Sequence, residues 1–406
     1  MMHPYQYLVC CLAFLFTFGV LGCRVANSNE QHAHDDIETI FIDLQKFTTI
    51  SEQHFWSAVD AVPLQFVPES AMDRVEKIIA TKHLLIVYNI LDISNTKSIL
   101  IFNNKGEFLK KIDANQPGPG NFSYLQDLYL HGDTLLEFMD NIRAKSFFYD
   151  TSGMFLKSAS LNIPAAKFAP MGSKYLLHRG NALHFDELGF NDNILLLDTT
   201  TGQVIDARAP IQEVFADRGF HISGYFFPTS DHGFLSCDIA NDTIYKCNGN
   251  EIHPLYLLKF SNEPQRKASI AQLLEEKNKK AQDFNLAVLN WMNNPDIIAT
   301  PELIHDTPDD LFLGFRYQRQ HHLFRYDKQH KTGRLFLLKD IRLWPVYDGY
   351  EGKALMVVSR PDVQKALLEK YNYNNLPQAI KNTFERVNEN SNPVILLMDL
   401  QALTVE

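Results

Sequence analysis

"SILIFNNKGEFLKKI", residues 98–112, decides the fold. An apolar run rich in strand formers, a polar turn carrying Gly106 and a second run make a β-hairpin. The glycine supplies the positive φ that a tight reversal needs. The pattern returns as "KSFFYDTSGMFLKSA" (145–159), "NILLLDTTTGQVIDA" (193–207), "TIYKCNGNEIHPLYL" (243–257) and "HLFRYDKQHKTGRLFLL" (322–338). Gly106, Gly153, Gly202 and Gly249 are 47, 49 and 47 residues apart, and Gly333 follows 84 later, one period plus an insertion.

Two more strand-like segments precede most hairpins: Val75–Ala80 and Leu84–Tyr88, Leu125–Leu130 and Leu135–Asp140, His221–Phe227 and Phe234–Asp238, Glu302–His305 and Leu311–Tyr317. "NPVILLMDL", 392–400, adds a closing strand. About four short strands per period of 45–50 residues is propeller-like. One unit alone exposes apolar residues on both faces, and radial stacking buries both. The expected fold is all-β: a six-bladed β-propeller of four-stranded blades over residues 37–406. The sixth unit shows only three strands after Asp340, so an N-terminal strand must close it. Glu38–Leu44, "ETIFIDL", is the natural donor, assisted by "AVPLQFV", 61–67. Closure removes the exposed edges. Stretches at about 269–292 and 361–387 lack turn residues and read as helical insertions, with Pro361 suited to a first turn. In the first, Leu273, Leu274, Phe284 and Trp291 are placed to pack down while Glu275, Glu276, Lys277 and Lys279 stay wet.

"DANQPGPGNF", 113–122, could be taken for a phosphate loop. Such a loop aims successive backbone N–H groups at an anion. Pro117 and Pro119 have none to offer, and no Gly-Lys-Ser/Thr follows. The stretch reads as a crossover from the outer strand of one blade to the inner strand of the next.

The chain has 406 residues, net charge −10 and 45% hydrophobic residues. The acidic balance argues against nucleic acid, which selects a basic face. Residues 7–20, "YLVCCLAFLFTFGV", are apolar but too short to span a bilayer, and have the length of a signal-peptide core. The run ends in "VLGC", which resembles a bacterial lipobox. The resemblance implies cleavage after residue 22 and a diacylglycerol on Cys23, hence a lipid-bilayer anchor in the cell envelope, on the inner or outer membrane, periplasmic or surface-exposed. An ordinary signal peptide is the alternative. Residues 23–36 read as a flexible tether, whose His32 and His34 suit a solvated linker better than a closed metal site. Cys237 and Cys247 flank a predicted hairpin, and either a disulfide or two packed thiols fits that spacing.

The chain resembles the six-bladed β-propeller lipoproteins of Bacteroidota-type bacteria, NHL-like in shape and largely uncharacterised. "VPLQFVPESAMDRVEKII", "ILIFNNKGEFLKKI" with "QPGPGNF", "NDTIYKCNGNEIHPLYLLKF" and "NENSNPVILLMDL" carry the likeness. Gln65 stands where the family usually has Glu, and Asn121-Phe122 where Glu-Tyr is commoner. The resemblance implies the fold but no reaction.

Propellers bind ligands where inner strands and crossovers converge. Asp127, His178, Arg179, His221, His305, Asp306 and Arg342 are polar candidates for that position. Phe122, Tyr124, Tyr225, Trp344 and Tyr347 could stack on a sugar or peptide, and "RLWPVYDGY", 342–350, is the richest patch. The expected function is non-enzymatic: a monomeric binding or scaffold module for a glycan, a peptide or an envelope protein, with no cofactor. The alternative is a metal-dependent hydrolase or lyase. The resemblance to lactonase and amidating-lyase propellers implies a channel metal such as calcium or zinc, which His221, His305 and Asp306 would hold. His321 and His322 adjoin in a strand, point to opposite faces and cannot share a metal.

Overall fold

The computed structural model describes residues 37–405 apart from 92–95, 114–117, 162, 164, 182–188, 217–225, 278–280, 340–346, 349–351, 359–375 and 387–390. The predicted leader, Cys23 and the tether lie outside the described residues. So do His221, Tyr225, Arg342 and Trp344.

Among the described residues the strands form six sheets, each built on an antiparallel meander of four, and two of them carry a fifth strand added in parallel. Blade 1 is Arg74–Ala80, Leu84–Leu91, Thr96–Asn103 and Phe108–Asp113; blade 2 is Asp127–His131, Leu135–Asp140, Lys145–Asp150 and Phe155–Ser160. Blade 3 is Lys167–Met171, Lys174–His178, Asp192–Asp198 and Gln203–Pro210; blade 4 is Phe227–Pro228, Phe234–Ser236, Thr243–Cys247 and Ile252–Phe260. Blade 5 is Leu303–Asp306, Asp310–Tyr317, Gln320–Asp327 and Thr332–Leu338. Blade 6 takes Tyr347–Asp348, Lys353–Val358 and Val394–Asp399 from the C-terminal part of the chain and Val59–Pro63 from the N-terminal part.

The strand period of two explains why the blades stack. In blade 1, Leu85 and Val87 face blade 6, while Ile86 and Tyr88 face blade 2. In blade 6, Ala354 and Met356 face blade 5, while Leu355 faces blade 1. Six apolar clusters result, one per blade interface. The middle strands are thus buried on both sides, as Leu84–Leu91 is, and only outer strands such as Phe155–Ser160 are largely exposed. Each fully buried Leu, Ile or Phe contributes about 1.5–3 kcal/mol, so stacking the blades supplies most of the driving force.

An N-terminal strand does close the sixth blade, but it is Val59–Pro63, paired antiparallel from Val394↔Pro63 to Met398↔Val59. Glu38–Ile42, expected in that role, lies parallel to the outer strand of blade 4, with Ile40 and Ile42 turned into the interface with blade 5. Thr48–Thr49 then pairs with the outer strand of blade 5. The reason is connectivity. The next strand after every outer strand is the inner strand of the following blade, and only 59–63 is the last strand before blade 1.

The first helical insertion is a hairpin of two helices, Glu263–Lys277 and Ala281–Met292, not one helix. Leu273, Phe284, Val288 and Trp291 pack on Val214, Phe215 and Ile239 beside blade 4. Leu274 is 37% exposed, contrary to expectation. Its neighbour Leu273 takes the inward position, and adjacent helical residues diverge by about 100°. Arg266 latches the hairpin: it pairs with Asp242 and donates to the carbonyl of Ile298. From the second insertion, Gln378–Glu385 is described, with Ile380 and Phe384 turned into the interface of blades 5 and 6. Short helices also form at Glu52–Ser57 and Leu400–Thr404.

Cys237 and Cys247 are both free and buried. Phe234 pairs with Cys247, and Ser236 with Tyr245, so Cys237 lies past the end of the ladder. The two thiols belong to different blade interfaces, which corrects the disulfide alternative.

The meander sorts the loops by face. First-to-second and third-to-fourth connections emerge on one face and are short, the longest, 229–233, having five residues. Second-to-third connections and blade-to-blade crossovers emerge on the other. There the longer connections leave and re-enter the blades, between Asp113 and Asp127, His178 and Asp192, Pro210 and Phe227, Phe260 and Leu303, and Val358 and Val394.

Candidate functional site

Insertions gathered on one face of a repeat architecture mark its binding face. Beneath that face the six inner strands line the channel.

Asp127 opens the inner strand of blade 2 and is 1% exposed. Lys77, from the inner strand of blade 1, donates to Asp127 Oδ1 at 2.8 Å and to the carbonyl of Leu128 at 2.7 Å. Lys167, from the inner strand of blade 3, approaches the same Oδ1 at 3.6 Å. The Phe168 N–H donates to Oδ2 at 3.1 Å. Burial alone pushes the Asp127 carboxyl up, but Lys167 and Lys77 outweigh it and hold the carboxyl below its ordinary range. Burial pulls Lys77 down. Asp127 therefore ties three inner strands together and is fully engaged.

The crossover after blade 1 is fixed by a second buried carboxylate. Asp140 Oδ2 accepts the N–H groups of Ser123 and Tyr124 at 2.7 and 3.1 Å. Gly120 lies against Tyr149, whose hydroxyl donates to the Gly120 carbonyl at 2.6 Å. A Cβ on Gly120 would fall 2.4 Å from that hydroxyl oxygen. The loop is thus a packed connector. Phe122 is 1% exposed and packs on Phe138 and Phe147, so it is core, not a ligand contact. Tyr124 is half-buried, and its ring lies 3.1 Å beneath Lys97 Nζ.

His178, Arg179, Asn181, Asn193 and Asp238 form a buried polar network at the loop-rich end of blades 3 and 4. His178 Nδ1 accepts the Gly180 N–H at 3.0 Å, and its Nε2 lies 3.5 Å from Asp238 Oδ1. Asn193 bridges Asn181 and Asp238. Nδ1 is hydrogen-bonded and Nε2 lies within ion-pair reach of Asp238, an arrangement that links blade 3 to blade 4.

His305 is 6% exposed beside Phe312. Asp306 is bound by Lys328 at 2.5 Å. As strand neighbours they face opposite ways, so they do not converge on one ion. Among the described residues no group of three His, Cys, Asp or Glu side chains is placed to hold a metal. Tyr347 lies in the short inner strand of blade 6, opposite Leu355. A cleft of about 330 Å³ between the hairpin helices, lined by Ser269, Leu286 and Trp291 among others, is part of the hairpin's own seam.

Sequence reasoning found Asp127 but not Lys77 and Lys167. Their signal was a basic residue inside an apolar inner strand, "RVEKII" and "KFAPM".

Fold and site together define a six-bladed β-propeller with a channel mouth crowned by insertions. The chain belongs to the family described as Domain of unknown function (DUF4934), whose model matches residues 37–399. No curated protein matches the sequence. Among solved structures, a Bacteroides fragilis NCTC 9343 protein (BF0058), described in its name as exported, is similar with TM-score 0.67 and 15% identity, over 88% of this chain and 98% of that one. A DUF4221-family protein of Bacteroides vulgatus ATCC 8482 has TM-score 0.47 and 9% identity, over 84% and 95%. Virginiamycin B lyase of Staphylococcus aureus has TM-score 0.40 and 13% identity, over 73% and 80%. These likenesses concern the fold.

Proposed function

We propose that the protein is an exported, monomeric binding module of the cell envelope. It is tethered to a membrane through lipid on Cys23 and uses its loop-rich face to hold a glycan, a peptide or an envelope protein. One observation carries this reading: the long connections all start and end at the same end of the sheets, and the connections at the opposite end have five residues or fewer. The apolar leader, the VLGC motif and the exported description of the B. fragilis protein support the address. The net charge of −10 speaks against nucleic acid. The metal-dependent hydrolase or lyase alternative gains no support from the described residues: Asp306 is committed to Lys328, and His305 points away from it.

The test is a thermal-shift screen of the chain from Val25 onward, with EDTA and divalent metals, then with oligosaccharides and peptidoglycan fragments. A ligand that binds only the folded state raises the midpoint with log concentration. A glycan or peptide shift that EDTA leaves intact is expected. A midpoint that falls with EDTA and returns with one metal would replace this reading by the enzyme. For the address, Cys23→Ser should move the protein from the membrane to the soluble envelope fraction.

A further inference from the structure

We infer that Lys77 and Lys167 form an oxyanion subsite in the channel wall, taking a carboxylate or phosphate group of the ligand. The inference rests on the binding reading above and names the chemistry of its ligand.

The argument is one of charge and donors. Two ammonium groups flank one carboxylate, which leaves one positive charge in surplus. Lys77 and the Phe168 N–H already satisfy Asp127, so a purely structural tie does not need Lys167. Lys167 Nζ, at 3.6 Å from Oδ1, is beyond hydrogen-bonding distance and makes no other hydrogen bond among the described residues. Lys77 uses two of its three donors. Both side chains remain partly open, at 23% and 19% exposure, whereas Asp127 is closed off. A largely desolvated cation without a donor bond is unfavourable. An oxyanion seated against the pair would take the spare donors in charge-assisted bonds. It would also offset the burial that pulls Lys77 down. Lysines act as point charges rather than planar forks, so the pair accepts carboxylate and phosphate geometry alike.

The experiment is calorimetric titration of the purified full chain with inorganic phosphate, galacturonate and neutral galactose at fixed ionic strength. Saturable binding of phosphate or galacturonate but not galactose is expected, and the stronger of the two assigns the source of the anion. Lys167→Gln should weaken that binding by about tenfold or more with the fold retained, because Lys77 and the Phe168 N–H still hold Asp127. Asp127→Asn removes the internal competitor and should tighten it, a direction that a structural role alone does not predict. Should Asp127→Asn fail to fold, Lys77→Met serves as the second variant and should also weaken binding. Absence of saturation by either anion, or equal affinity in Lys167→Gln, overturns the subsite. A neutral oligosaccharide or peptide that binds wild type and Lys167→Gln equally would remove the subsite and leave the loop-rich-face reading standing. Anion binding lost in Lys167→Gln, with no response to any glycan or peptide, would do the reverse.

Discussion

His321, at the loop-rich end of blade 5, is a half-buried imidazole kept neutral. Burial, then Arg316 and His322, pull its pKa from 6.5 to about 4. Between those values the unfolded chain takes up a proton that the folded one refuses. Stability is therefore complete above pH 6.5, falls as pH drops toward 4, and levels off below. The shift corresponds to at most about 3 kcal/mol. His321→Gln should reduce the slope of urea-derived stability across that window, and the slope that remains belongs to the other shifted groups, among them His322, which burial lowers, and Asp192 and Asp242, which burial raises. A wild-type slope in the variant would show that His321 is not the group responsible. Gly120 makes a steric statement of the same scale. Gly120→Ala would drive a methyl to 2.4 Å from Tyr149 Oη and 2.9 Å from Phe155 Cγ. It should cost about 1–3 kcal/mol in urea unfolding. A neutral result would mean the crossover is not packed as described.

At the scale of elements, the two N-terminal strands have different duties, and truncation separates them. A chain beginning at Thr48 loses Glu38–Ile42, an outer addition to blade 4. It should still fold cooperatively with a lower melting temperature. A chain beginning at Leu64 loses Val59–Pro63, leaves the sixth blade with an open edge, and should melt broadly and aggregate. Similar melts for the two chains would refute this division of labour. The hairpins were legible from sequence because their alternation and turn glycines are local properties. The inner strands of blade 3 were not: "KFAPM" is short, and Pro170 argues against a strand. At the channel edge, however, proline gives up no ladder bond that matters. The closing strand was misassigned because "ETIFIDL" has the better strand pattern, while connectivity decides the role. The candidate site was least legible. Lys77, Asp127 and Lys167 are about one period apart, and only the closed ring brings them together.

The six blades make a ring with two unlike faces, and function should depend on which face is free. Blade 2 offers a marker for each. Ile142, 72% exposed, sits in its second-to-third connection on the loop-rich face; Met154, 59% exposed, sits in its third-to-fourth turn on the opposite face. In the chain from Val25 onward a single thiol at either place can be biotinylated selectively, because the two native cysteines that remain, Cys237 and Cys247, are buried. Burial pushes the Cys237 thiol up to about 12 and raises Cys247 as well, and a thiol held protonated is a poor nucleophile. Captured on a streptavidin surface, Met154→Cys presents the loop-rich face to solution and Ile142→Cys presses it against the support. Peptidoglycan fragments and oligosaccharides passed over both should register on the Met154→Cys surface and be sharply reduced on the other. The melting temperatures of the two variants should match wild type, since both side chains are exposed and neither lies in a blade interface. Equal responses from the two orientations would move the binding site off the loop-rich face, and with it the reason for so many insertions gathering there.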